Sequence, residues 1–233
     1  MERLDKIIGT QTEYSRKDVK KLVMQKRVSL NGEIVLKSDV KIDTKKDILT
    51  IDGKEINITK NVYIILNKPE GYISATEDRT QKTVLDLIDE RYLHRDLFPA
   101  GRLDKDTTGL MIITDDGKFA HNILAPKKHV SKKYEVTIDI PVTEEMVKEF
   151  EEGIMLNDGV CKTAILEITG EYTSNVTLTE GRYHQIKRMF GCFGAKVTKL
   201  HRVQMGNLKL PEDLNIGESR ELTKEELELI TKI

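Results

Sequence analysis

The run Gly101-Arg102-Leu103-Asp104-Lys105-Asp106-Thr107-Thr108-Gly109-Leu110 holds a carboxylate between two glycines, beside an arginine and two threonines. It is set against the apolar stretch Leu110-Met111-Ile112-Ile113-Thr114. A carboxylate in such a polar loop can be a reactive acid, working as a nucleophile or a general base. The same composition also suits a turn or cap, because Asp and Thr side chains bond nearby backbone and Gly reaches the conformations that turns require. The loop alone leaves both readings open.

A loop of this kind needs a framework to hold it, and the chain from Val62 onward has one. Apolar runs read as strands at 62–67, 110–114, 132–139, 163–169, 174–179 and 196–205. Helical spacing runs over 82–90, 117–124, 143–152, 183–193 and 223–231, the last opened by the capping box Thr223-Lys224-Glu225-Glu226. Strands outnumber helices and several read as antiparallel neighbours. The expected class is therefore α+β with a mixed, mainly antiparallel sheet, rather than a doubly wound parallel one.

The first sixty residues read as a separate small α+β module. A short helix is expected over Arg3 to Gly9. Ser15-Arg16-Lys17-Asp18 resembles a capping box and starts a second helix that runs to about Lys26. On that second helix Val19, Leu22 and Val23 fall at helical spacing and face a core, while Arg16, Lys17, Lys20, Lys21, Lys26 and Arg27 take the other positions. Two hairpins follow, one turning at Asn31-Gly32 and one, over Ile48 to Ile58, at Asp52-Gly53. The polar stretch Asn57-Ile58-Thr59-Lys60-Asn61 reads as a linker, which divides the chain into domains 1–60 and 61–233.

Composition narrows the function classes. The 233 residues suffice for a large domain with a small appendage. No run of 18 apolar residues occurs and the N-terminus lacks an apolar signal segment, so a soluble cytoplasmic protein with no membrane partner is expected. Cys161 and Cys192 stand far apart, which makes a redox pair or metal cluster unexpected and small core positions the expectation. The five histidines have no zinc spacing and no Gly-rich loop reads as a nucleotide motif, so neither metal nor cofactor is expected. The net charge is -1, yet residues 1–60 hold fourteen Lys/Arg against ten Asp/Glu and residues 212–233 hold three against seven. A basic head on a neutral chain is compatible with an RNA partner.

The form GRLDxxTxGL resembles the aspartate motif of the pseudouridine synthases, in particular the RsuA family that modifies ribosomal RNA. Three further segments match that family in the required order: Asn67-Lys68-Pro69-Glu70-Gly71-Tyr72, Lys132-Lys133-Tyr134-Glu135-Val136, and Glu180-Gly181-Arg182-Tyr183-His184-Gln185-Ile186-Lys187-Arg188-Met189-Phe190. Leu200-His201-Arg202 completes the set. At the N-terminus, RLDK, SRKDVKKLV and VSLNGEIV together resemble an S4 domain, a small RNA-binding fold.

The resemblance implies a cofactor-free isomerase. Making pseudouridine breaks the N1–C1′ bond of uridine, turns the freed uracil and rejoins it through C5, which needs no redox or metal step. By position Asp104 is the family's catalytic acid, either adding to base or sugar or removing a proton from C2′. A carboxylate in a water-poor site keeps its charge only with a cation at contact distance. The resemblance assigns that place to Lys187. Tyr134 is the family's tyrosine that stacks on the target uracil, offsetting the few kcal/mol lost when a base leaves its stack, and Leu200 packs on the other side of the base. Arg102 and Arg182 are expected at the substrate, with His184 and Gln185 shaping the loop by local hydrogen bonds. Arg16, Lys17, Lys20, Lys21, Lys127, Lys128 and Lys132 are expected to grip phosphates.

The stretches TTGLMIITDDGKFAH, EGRYHQIKRMF and LHR are most similar to the small-subunit (16S) enzyme of the family. The expected partner is 16S ribosomal RNA or an assembling small-subunit ribonucleoprotein, and the expected state is a monomer. A large-subunit (23S) enzyme shares the same modules. A non-catalytic assembly factor is opposed by the presence of Asp104, Tyr134 and Lys187. A hydrolase pairing Asp104 with Asp106 or Asp115 has no motif in its favour.

Overall fold

The computed structural model describes residues 1–56, 58, 61–92, 94–125 and 130–231, Thr231 by its backbone only. The chain divides into two compact units, one of Met1–Val62 with Ile88–Leu97, the other of Tyr63–Leu87 with Phe98–Ile233.

The first unit contains β1 (Glu2–Arg3), α1 (Leu4–Gln11), α2 (Arg16–Met24), β2 (Val28–Leu30), β3 (Glu33–Ile34), β4 (Lys41–Ile42), β5 (Leu49–Ile51) and β6 (Lys54–Glu55). Helix α2 starts where Ser15 Oγ accepts from the Asp18 amide at 3.2 Å. That cap satisfies one of the helix's free amide donors. Val19, Leu22 and Val23 then point inward to Leu4, Ile7, Ile8, Val28, Ile42, Leu49 and Ile51. Arg16, Lys17, Lys20 and Lys21 remain exposed on the same helix. Strands β3-β2-β5-β6 form an antiparallel sheet. Both of its tight turns need positive φ at two successive residues, met by Asn31 and Gly32 (52° and 87°) and by Asp52 and Gly53 (53° and 76°). Asp5 is buried and is held by Arg3 through Nε at 3.0 Å and Nη2 at 2.7 Å. That guanidinium holds the Asp5 carboxyl below the usual carboxylate range.

The second unit contains β7 (Tyr63–Lys68), β8 (Phe98–Pro99), β9 (Thr108–Thr114), α3 (Gly117–Leu124), β10 (Lys132–Ile138), α4 (Glu144–Glu152), β11 (Met155–Leu156) and β12 (Gly159–Val160). It continues with β13 (Ile165–Gly170), β14 (Thr173–Leu178), α5 (Gln185–Gly191), β15 (Val197–Met205), β16 (Leu208–Lys209), β17 (Ser219–Glu221) and α6 (Lys224–Thr231). Its sheet runs β13-β14-β10-β15-β9-β7-β17, with β8 beside β9 and β16 beside β15. Among the described strands of this sheet only the β9–β15 pair is parallel, so the α+β class with a mainly antiparallel sheet holds.

Strands β9 and β7 lie inside the sheet, between β15 and β17. Both are buried on two faces, and the middle of each is correspondingly apolar, Ile64-Ile65-Leu66 in β7 and Leu110 to Ile113 in β9. Ile65, Leu110 and Ile112 pack with Phe119, Ala120 and Ile123 of α3 and Ile230 of α6. Helix α4 packs on β13 and α5 on β15. Phe150 of α4 meets Phe190 of α5 with ring centroids 5.0 Å apart. Each such buried aliphatic or aromatic side chain contributes about 1.5–3 kcal/mol. At the start of α6 the expected capping box is reciprocal, with Glu226 N donating to Thr223 Oγ1 at 3.2 Å and Thr223 N donating to Glu226 Oε2 at 2.9 Å.

Several expected elements differ. The helix expected over 82–90 is two short 3₁₀ turns, Val84–Leu87 and Glu90–Tyr92. Asp86 N bonds Thr83 O at 3.1 Å in an i to i+3 step, and the chain passes to the first unit at Ile88. The strand expected over 163–169 starts only at Ile165, because Ala164 N bonds Phe150 O at the end of α4. The helix expected over 183–193 is limited to Gln185–Gly191, since His184 sits in the left-handed region at φ 48° and cannot extend it. Of the two cysteines expected in the core, Cys161 is buried but Cys192, just past α5, is exposed.

Candidate active site

The loop from Gly101 to Thr107 is clamped on both sides of Asp104. Before it, Leu103 N donates to Ser74 Oγ at 2.9 Å and Ser74 Oγ–H donates to Leu103 O at 2.7 Å. After it, Gly71 N donates to Lys105 O at 2.8 Å. Beneath it lies Lys68, fully buried at the end of β7. Its ammonium donates to the carbonyls of Thr107 at 2.8 Å, Pro69 at 3.0 Å and Lys105 at 3.3 Å. Burial pulls the Lys68 pKa down to about 8, against the opposing attraction of Asp106 and Asp104.

The loop ends at a point where only glycine fits. Gly109 has φ +102°, and a Cβ there would lie 2.3 Å from the backbone oxygen of Arg202. This close approach lets β9 pair in parallel with β15, Gly109 opposite Arg202 and Thr108 opposite His201. Thr108 Oγ1 and His201 Nδ1 are 2.7 Å apart. Arg202 is itself buried and donates from Nε to Leu110 O at 2.7 Å.

Lys187, in the first turn of α5, reaches back to this loop. Its Nζ is 3.0 Å from Asp104 Oδ2 and 2.5 Å from Asp106 Oδ1. Burial opposes its charge, but the bonds to Asp106 and Asp104 outweigh that and leave its pKa above the ordinary lysine value. The same bond to Lys187 holds the Asp106 carboxyl below the usual range. His184 Nε2 stands 3.4 Å from the other Asp104 oxygen. The Asp104 carboxylate is thus flanked by a lysine and an imidazole at a partly exposed position.

Tyr134 and Leu200 occupy one face of the adjacent strands. In the β10–β15 register Tyr134 lies opposite Arg202 and Val136 opposite Leu200, so the alternation of side chains puts all four on the same side. Gly109, Arg202 and Tyr134 fall in one row across β9, β15 and β10. Tyr134 and Leu200 are both nearly buried.

The other expected site residues lie as follows. Arg102 is exposed on the loop. Arg182 is occupied by the β11–β12 hairpin. It donates from Nη1 to Gly159 O at 2.9 Å and from Nη2 to Val160 O, and it pairs with Glu180 at 3.3 Å. Lys132 in β10 is partly buried and donates to Val130 O at 3.2 Å, with burial lowering its pKa to about 8. Lys127 and Lys128 lie outside the described residues. Gln185 bonds locally, accepting from Arg182 N and donating to Glu180. His184, also expected to bond locally, contacts Asp104 instead. Sequence reasoning assigned no role to Lys68 or to Asp106 as a second partner of Lys187. The available signal for Lys68 was its place, behind Asn67, at the end of a strand with the apolar run Ile64-Ile65-Leu66.

The chain matches the family model described as RNA pseudouridylate synthase over residues 62–191. It is 41% identical to the ribosomal small subunit pseudouridine synthase A of Haemophilus influenzae over 232 residues, 99% of this chain and 100% of that protein. It is 39% identical to an uncharacterized RNA pseudouridine synthase of Bacillus subtilis, covering 99% of this chain and 98% of the other. A crystal structure of a pseudouridylate synthase superimposes with a TM-score of 0.70 at 40% identity, covering 99% of this chain and 100% of that one.

Proposed function

The chain belongs to the RNA pseudouridylate synthase family, and from that premise we propose that it converts a specific uridine of 16S small-subunit ribosomal RNA to pseudouridine, with Asp104 carrying the chemistry. The observation that supports this most is the Asp104–Lys187 contact at 3.0 Å, which joins two motifs 83 residues apart at a clamped loop. The ribosomal small subunit synthases of Haemophilus influenzae and Escherichia coli, 41% and 40% identical over nearly the whole chain, support the choice of RNA.

In the proposed reaction the target uridine leaves its stack and its uracil lies against Tyr134, with Leu200 on its other side. Asp104 adds to the base or sugar, or takes the C2′ proton, and the N1–C1′ bond breaks. The uracil turns and C5 joins C1′ as the Asp104 adduct is released or the C2′ proton is returned; C5 then loses its proton and N1 gains one, so atoms and charge balance without a redox partner. Lys187 supplies the cation that a carboxylate in this position needs, and Lys68 holds the loop's carbonyls in place. Residues 1–60 act as the S4-like RNA-binding domain through exposed Arg16, Lys17, Lys20 and Lys21, and residues 61–233 form the catalytic domain. Arg102 contacts the RNA beside the acid. The proposed partner is 16S RNA, naked or in an assembling small subunit, and the protein works as a cytoplasmic monomer. Among the described residues no helix is long and apolar enough to cross a membrane.

The test is to incubate the purified protein, without added cofactor, with 16S and with 23S transcripts and to map pseudouridine in each. The proposal expects one or a few modified positions in 16S RNA. Modification confined to 23S RNA overturns the choice of substrate, and absence of pseudouridine in both overturns the activity.

A further inference from the structure

Beside Asp104 lies an aromatic surface for which the proposed reaction, as described so far, has no use. Tyr183 is 75% exposed, the most exposed aromatic side chain among the described residues, against 42% for Tyr172. Tyrosines this open are uncommon, because the ring loses hydrophobic stabilisation when left in water. This one is also packed on one face. Its ring stacks on the His184 imidazole, centroids 3.8 Å apart and planes inclined by 19°. Its carbonyl accepts from Arg188 Nη1 at 3.2 Å, and Arg188 is fixed by Asp158 at 2.6 Å. His184 is held in the left-handed backbone region at φ 48°, which non-glycine residues rarely adopt, and this conformation turns its ring toward Asp104 at 3.4 Å.

We propose that the Tyr183–His184 stack is a binding site for a second nucleobase, the unpaired neighbour of the target uridine, which lies on the open face of Tyr183 while the uridine occupies the site at Asp104. This rests on the RNA-modifying reading above. One face of the Tyr183 ring is covered by His184 and the other is open to a planar partner. A base has a π-face whatever its identity, so an aromatic platform takes any of the four. The nearby cations Lys187 and Arg188 are already paired with Asp104 and with Asp158, so the neighbouring nucleotide is held through its base rather than its phosphate. When the target base leaves its stack its neighbour loses a stacking partner, and Tyr183 replaces that partner. The imidazole of His184, in turn, is kept flat against Tyr183 and aimed at the carboxylate. The platform therefore couples the fit of the neighbouring nucleotide to the position of the reacting one.

The test pairs a protein change with an RNA change. Pseudouridine mapping identifies the modified uridine, and short RNAs containing it are made with an abasic residue at either flanking position. With intact RNA, Tyr183→Ala is expected to raise KM by about 5- to 150-fold, the range for loss of one stacked base, with a smaller change in kcat. Tyr183→Phe, which keeps the ring, is expected to restore KM to within about twofold of wild type. With the abasic RNA at the correct flank, wild type and Tyr183→Ala are expected to have the same KM. Product formation with KM unchanged in Tyr183→Ala, or an alanine effect that persists on both abasic RNAs, overturns the platform while leaving the activity standing. Absence of pseudouridine with wild-type protein is instead the failure of the parent reading.

Discussion

Replacing Lys68 by methionine removes a buried ammonium from beneath the loop that carries Asp104, and two of its effects can be worked out from the structure. Lys68 is fully buried and donates to the carbonyls of Pro69, Lys105 and Thr107. Burial lowers its pKa to about 8 from an ordinary value of 10.5. In the unfolded chain the group keeps its proton up to the ordinary value, whereas in the folded protein it gives it up above about 8. Between those limits the unfolded state binds more protons, so the lysine's contribution to stability rises with pH. At about 1.4 kcal/mol per pH unit the difference in unfolding free energy, wild type minus Lys68→Met, is expected to rise by about 3 kcal/mol from pH 7.5 to pH 10.5. Taking the difference cancels the other lysines and tyrosines that titrate in this window. The second effect is on chemistry. With the three carbonyls released, the loop shifts, and a displacement of about 1 Å at a reacting group lowers turnover by about 100-fold. Urea unfolding followed by circular dichroism at a series of pH values, with single-turnover pseudouridine formation at pH 7.5, measures both. A free-energy difference that stays constant with pH would refute the electrostatic account of Lys68. An unchanged single-turnover rate in the variant would refute its role in holding the loop.

Three other outcomes are expected. Lys187→Met leaves Asp104 and Asp106 without their shared cation and is expected to lower turnover by about 100-fold in the same assay, while Lys187→Arg, which keeps the charge, recovers a large part of it. Gly109→Ala places a Cβ 2.3 Å from Arg202 backbone, at a positive φ, and neither strand can yield without breaking the β9–β15 pairing. It is expected to destabilise the protein by about 3 kcal/mol or more, read as a Tm lower by about 10 °C. Exchanging Arg16, Lys17, Lys20 and Lys21 for alanine is expected to reduce the slope of log affinity against log salt by about 3 with a 16S transcript, and an unchanged slope would remove α2 from the RNA contact.

What the sequence made legible was mostly local. Ser15 and Thr223 mark helix starts because their capping partners are three residues away, and Asn31-Gly32 marks a hairpin because few other pairs tolerate two positive φ values. Strands β7 and β9 stand out because burial on both faces makes successive residues in the middle of each apolar. Contacts that join distant segments were legible only by resemblance or not at all. Nothing local distinguishes Lys187 from a solvated helix lysine; for Lys68 the apolar strand before it hints at burial but not at its acceptors, since Lys105 and Thr107 are far along the chain. The left-handed conformation of His184 was hidden for a different reason: histidine is only a weak signal for that region, and the helical pattern ran straight through it. The 3₁₀ turns Val84–Leu87 and Glu90–Tyr92 flank Ile88, where the chain passes from one unit to the other, and a periodic pattern does not reveal such a boundary.

The central claim is that Asp104 carries an isomerisation in which C5 of uridine loses its proton. A 16S transcript labelled with tritium at C5 of its uridines releases that label to water when pseudouridine forms. Wild-type protein is expected to release tritium in step with pseudouridine formed, and Asp104→Asn, which keeps the shape of the side chain, is expected to bind the transcript with unchanged affinity and release none. Tritium release by Asp104→Asn at a rate near wild type would contradict the account.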